Sequence, residues 1–121
     1  MRQTGIFAVA LIGVLAIAAP AFADFGAIAY DNASCAFGRS WNYTTQAEAA
    51  SKATAECNHP GCRVIASIGP RQCGALAVTP NCRGFGWATR PSKDAAELKA
   101  MQDCQRDNPG QCSVKVSDCN R

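Results

Sequence analysis

The residues best able to do chemistry in this 121-residue chain are its eight cysteines: Cys35, Cys57, Cys62, Cys73, Cys82, Cys104, Cys112 and Cys119. Cysteine can attack as a thiolate, ligate a metal or pair with another cysteine. No Cys-x-x-Cys redox spacing occurs, and the closest pair, Cys57 and Cys62, has four residues between. His59, the single histidine, lies between those two in Cys57-Asn-His-Pro-Gly-Cys62. A zinc site there would need further ligands, and the corresponding later loop, Gln105 to Gln111, contains no histidine. A lone histidine also argues against a nucleophilic triad, whose base is held by a third group. The nine acids are dispersed, and Asp94, Glu97, Asp103 and Asp107 read as the solvated face of a helix. These patterns predict no catalytic residue, no metal and no cofactor, and hence a protein that is not an enzyme.

The aromatic residues offer a contact surface instead. Trp41, Tyr43 and Trp87, with Arg39, are the candidate binding residues, and strand alternation would put Phe37, Trp41 and Tyr43 on one face with Arg39 between them. The competing reading has these side chains, with Tyr30 and Phe85, filling a core opposite alanine-rich helices. Asn32-Ala-Ser34 and Asn42-Tyr-Thr44 match the glycosylation sequon, a pattern common enough to arise by chance.

The setting for the cysteines comes from the first residues. Arg2, an uncharged apolar run from Ile6 to Ala19, Pro20 and then Ala21-Phe22-Ala23 form a secretory signal pattern. The run is shorter than the ~20 residues of a membrane-spanning helix, so residues 1–23 are expected to be removed, leaving one domain over 24–121 and no membrane attachment. An even cysteine count behind such a segment reads as a disulfide framework in a periplasmic or secreted protein. Net charge is only +3, with Arg and Lys scattered singly, which argues against a nucleic-acid partner.

An internal repeat organises the rest, over about residues 25–70 and 73–119. Gly26-Ala-Ile-Ala-Tyr30 recurs as Gly74-Ala-Leu-Ala-Val78, and each is followed by a turn with cysteine, Cys35 or Cys82. A Gly/aromatic stretch comes next, Phe37-Gly-Arg-Ser-Trp41 and Phe85-Gly-Trp87. Thr45 and Ser92 open alanine-rich segments ending at Cys57 and Cys104; a Pro-Gly loop then leads to Cys62-Arg-Val-Ile-Ala and Cys112-Ser-Val-Lys-Val. Short apolar runs bounded by turn residues predict strands, and Thr45 with Glu48 predicts a capped helix start. Ala49, Ala53 and Cys57 would share a helix face, as would Ala96, Ala100 and Cys104. The reading is α+β: two pseudo-repeated strand-strand-helix-strand halves around a mainly antiparallel sheet.

The repeat also limits the 105 pairings open to eight cysteines. Equivalent positions should bond equivalently, giving Cys57–Cys62 and Cys104–Cys112. Cys35 and Cys82 are repeat equivalents and are paired with each other, leaving Cys73–Cys119. Both long-range bonds are expected to tie the halves together.

The order of these motifs, from Phe25-Gly-Ala-Ile-Ala-Tyr30 through the Ala-rich helix ending in cysteine to Cys73-Gly-Ala-Leu-Ala-Val78, resembles the secreted bacterial family called domain of unknown function 4189. The resemblance spans nearly all of residues 24–121 and implies an exported protein with no established activity. The residues themselves favour a non-enzymatic module that binds an unknown protein partner, such as an enzyme it inhibits. The alternatives are a cell-envelope glycan-binding module using exposed aromatics, and a small hydrolase.

Overall fold

The structure, a computed structural model, describes residues 24–121; the expected signal segment 1–23 lies outside the described residues. The elements run β1 (Phe25–Asp31), β2 (Ala36–Tyr43), α1 (Gln46–Cys57), β3 (Arg63–Ile68), β4 (Cys73–Val78), β5 (Phe85–Arg90), α2 (Lys93–Gln105) and β6 (Ser113–Cys119). Each half folds as strand, strand, helix, strand. The antiparallel pairing divides between two three-stranded sheets, ordered β2-β1-β3 and β5-β4-β6, with the first strand of each half central.

The alternation within β1 and β4 explains the layering. Ile28 and Tyr30 of β1, with Leu76 and Val78 of β4, point into a core between the two sheets, joined by Ile68, Ala66 and Val116. The alternate residues are alanines and point outward. Ala27 and Ala29 meet Ala49, Ala53 and Cys57 of α1, while Ala75, Ala77 and Ala88 meet Ala96, Ala100 and Cys104 of α2. The molecule is therefore four layers, helix, sheet, sheet, helix, with β1 over β4, β2 over β6 and β3 over β5. Large side chains fill the middle layer and small ones let each helix lie close. The approach is tight enough that a Cβ at Gly38 would overlap the backbone of Ala53 and Cys57, and one at Gly86 that of Ala100 and Cys104.

Both helices are capped as their sequences require. Thr45 Oγ1 accepts from the Glu48 amide at 3.1 Å, and Ser92 Oγ accepts from the Ala95 amide at 3.2 Å. Glu48 does not close the reciprocal half of a capping box, because its carboxylate accepts from Thr44 Oγ1 instead, at 3.0 Å.

The bonded pairs are Cys35–Cys82, Cys57–Cys62, Cys73–Cys119 and Cys104–Cys112. Cys57–Cys62 and Cys104–Cys112 close the loops that leave α1 and α2. Of the two long-range bonds only Cys35–Cys82 joins the halves. Cys73 opens β4 and Cys119 closes β6, and antiparallel pairing sets the two directly opposite one another, so their bond lies inside the second sheet. The expectation that it ties the halves is corrected on that ground. The second tie is polar: buried Asn120 donates to the carbonyls of Ile68 (3.0 Å) and Gly69 (2.8 Å) and accepts from the Asn42 amide at 2.9 Å.

Candidate functional site

His59 and its neighbours come first, because they bring a base, a hydroxyl and a carboxylate together. Asp31, the buried last residue of β1, accepts from the Ala33 amide at 3.1 Å and from Ser34 Oγ at 2.6 Å. His59 Nδ1 stands 3.4 Å from the same carboxylate. The Ser34 hydroxyl, then the Ala33 amide, hold the Asp31 carboxyl below its ordinary range, and His59 adds to this against the opposing effect of burial. The arrangement differs from a nucleophilic relay: the serine hydroxyl donates to the aspartate rather than to the histidine. Gly61 lies so close that a Cβ there would meet the Asp31 carboxylate at 2.7–2.8 Å. The cluster thus seats the Cys57–Cys62 loop on the β1–β2 turn. Among the described residues, no three of His, Cys, Asp and Glu gather as metal ligands would, and every cysteine is bonded.

The four residues singled out as a binding surface do not gather into one. Trp41 is half-buried at the margin of the inter-sheet core, as is Phe37. Tyr43 packs instead on the outer side of the sheet, against the α1 layer. The reason is a bulge: pairing with β1 runs Ala27 to Ser40 but Phe25 to Tyr43, and Asn42 takes a φ of 64°. The extra residue turns Tyr43 to the face opposite Phe37 and Trp41, so the expected shared face does not form. Arg39 is exposed, its backbone amide donating to Glu56 Oε1 at 2.9 Å.

Trp87 stands apart from these. It is 43% exposed, although it shares a strand face with Phe85, which packs into the inter-sheet core. Its pairing partner Leu76 is fully buried in the central strand. By register, Trp87 holds the place in its sheet that Arg39 holds in the other, since Arg39 pairs with Ile28. Alongside runs a groove of about 460 Å³, lined by the whole of β5 and by Lys99, Asp103, Arg106 and Asp107 of α2 and the turn after it. Asp103 is braced within it by Lys99 Nζ at 3.0 Å and Arg106 at 2.7 Å. The composition around Trp87 did not reveal this placement, which depends on β5 ending the sheet. A second patch, Leu98, Met101 and Val114 rimmed by Asp94 and Glu97, lies where α2 meets β6.

Four disulfides point to an oxidising environment outside the cytosol. No helix among the described residues is long and apolar enough to cross a membrane. Comparison with known proteins agrees with the fold. Protein Rv1269c of Mycobacterium tuberculosis and Protein Mb1300c of Mycobacterium bovis are each 37% identical over 77 residues, 64% of this chain. The matched region spans 58% of the length of those relatives. The NMR structure of Rv1813c from Mycobacterium tuberculosis superposes with a TM-score of 0.59 at 24% identity, over 97% of this chain and all of that one, and so shares the fold. The family model for Domain of unknown function (DUF4189) matches residues 25–119, from the first residue of β1 to the last of β6, and the chain belongs to that family.

Proposed function

We propose that this is an exported, non-enzymatic module that works by contacting another protein through the β5–α2 groove around Trp87. The observation that carries the reading is the exposure of Trp87 beside an open strand edge, while the other large aromatics among the described residues are buried or half-buried. Aromatic side chains on rigid supports give large contact area at small entropic cost. The support here is rigid: β5 is hydrogen-bonded to β4, α2 lies tight on Gly86, and Cys104–Cys112 fixes the loop below. The residues that could do chemistry are occupied in holding the fold, the cysteines in bonds and Asp31, Ser34 and His59 with one another. Removal of residues 1–23 on export would deliver the domain to the periplasm or the medium, where the disulfides persist. An enzyme of that compartment is the kind of target such a module would inhibit.

The test is capture of periplasmic or secreted proteins on the oxidised protein and on its Trp87→Ala variant. The reading requires a binder that the variant loses while its thermal melt is unchanged. A binder retained in full by the variant would place the contact elsewhere on the molecule.

A further inference from the structure

The groove's floor is a strand edge, and edges are normally guarded by charge, bulges or cover. Three of the four edges here carry such devices. β2 is bulged at Asn42, with the Arg121 amide donating to Asn42 Oδ1 at 2.8 Å across its end. β3 opens with Arg63 and shifts register against β1 between Ile28 and Ala29. β6 carries Lys115 and Asp118 and shifts register against β4 between Leu76 and Ala77. β5 has neither bulge nor register shift, and its single charge, Arg90, sits at its last position. Its first five residues, Phe85-Gly-Trp-Ala-Thr89, are uncharged, and its pairing to β4 runs without a break from Phe85 to Arg90.

The charges around this edge form a self-complementary set. Arg90 closes the strand; its guanidinium donates to the Thr89 carbonyl at 2.7 Å, and no carboxylate among the described residues lies within ion-pair distance of it. Asp107 stands at the opposite end, beside Gly84 and Phe85, and likewise has no cation within that distance among the described residues. A twofold axis normal to the sheet and centred on Trp87 pairs β5 antiparallel with its copy, keeps the faces matched and sets Phe85 against Thr89 of the second copy. It also carries each Arg90 to the Gly84 end of the other strand, where Asp107 waits. We infer that β5 pairs with β5 of a second copy, joining two sheets into one of six strands, with Trp87 opposite Trp87 and two Arg90–Asp107 ion pairs at the ends. This rests on reading the groove as a protein contact surface, and it names the second copy as the occupant.

Sedimentation equilibrium of the oxidised exported protein, with each variant's fold checked by its melting temperature, tests the inference. A reversible monomer–dimer equilibrium is expected, weakening as salt is raised. Trp87→Lys, Arg90→Asp and Asp107→Arg should each raise the dissociation constant at least about ten-fold, some 1.4 kcal/mol. The double exchange of Arg90→Asp with Asp107→Arg should return it to within about three-fold of the parent. A protein monomeric up to about 0.5 mM, or a dimer indifferent to all three substitutions, would overturn the inference. A monomer that still loses a captured partner on Trp87→Ala overturns it while leaving the protein-contact reading in place. Loss of both dimer and partner capture removes both.

Discussion

The Tyr30 hydroxyl donates a buried hydrogen bond to the Cys82 carbonyl at 2.7 Å, across 52 residues of sequence. The same cysteine is bonded to Cys35, which follows Tyr30 by one turn. The Tyr30 ring meets Phe85 edge-on, with centroids 5.2 Å apart. The end of β1 therefore grips the β4–β5 turn by a disulfide, a hydrogen bond and an aromatic contact together. Tyr30→Phe keeps the ring and removes the donor, leaving a buried carbonyl unpaired, and should cost about 1–2 kcal/mol in urea unfolding of the oxidised protein. An unchanged midpoint would mean that water replaces the hydroxyl.

Strand–helix contact in both halves depends on a missing side chain. At Gly38 and Gly86 a Cβ would run into helix backbone, which has no flexible end to move aside. Gly86→Ala should therefore destabilise by about 2–4 kcal/mol, with Gly38→Ala similar. Gly110, whose surroundings are open, supplies a contrast: its φ of 75° makes alanine cost only about 1 kcal/mol. Denaturant midpoints for the three variants give the order directly.

The long and short disulfides should differ in weight. Cys35–Cys82 closes a separation of 47 residues and Cys57–Cys62 one of 5. On the chain-entropy model these are worth about 4 and about 2 kcal/mol. Replacing Cys35 and Cys82 together by alanine should lower the melting temperature more than replacing Cys57 and Cys62. The reverse order would mean that the His59 loop, and not the clasp between halves, dominates stability.

Acid should reveal Asp31. Its carboxyl is held below the ordinary value chiefly by the Ser34 hydroxyl and the Ala33 amide. A depressed carboxyl stabilises the fold above its unfolded pKa of ~3.9, and that contribution fades as pH falls through the lower folded value. Asp31→Asn should flatten the acid limb of the stability curve. Equal acid limbs for parent and Asp31→Asn would show the depression to be absent in solution.

Much of this architecture is legible in the residues because two signals reinforce one another. Gly-Ala-Ile-Ala-Tyr and Gly-Ala-Leu-Ala-Val alternate small and large side chains, and the same alternation puts alanines under the helices and large residues in the middle. Thr45 and Ser92 mark the helix starts as caps do. Other features depend on tertiary geometry. Whether two halves share one sheet or stack as two depends on which edges pair, and no single strand's pattern encodes that. The turning of Tyr43 follows from one left-handed residue, Asn42, in a stretch that reads as continuous strand. Trp41 and Trp87 look interchangeable in composition, yet the first packs on the core and the second stands at an open rim.

Hydrogen exchange across β5 separates the Trp87 groove from the His59 loop as the contact face. If the Trp87 groove is the working face, the Asp31–His59 cluster serves the fold alone. Amide exchange of the oxidised protein should be compared when dilute and when bound, either to a second copy or to a captured partner. Binding should slow exchange in residues 85–90 and leave residues 57–62 unchanged. Slowing at the His59 loop, with β5 unchanged, would contradict that assignment.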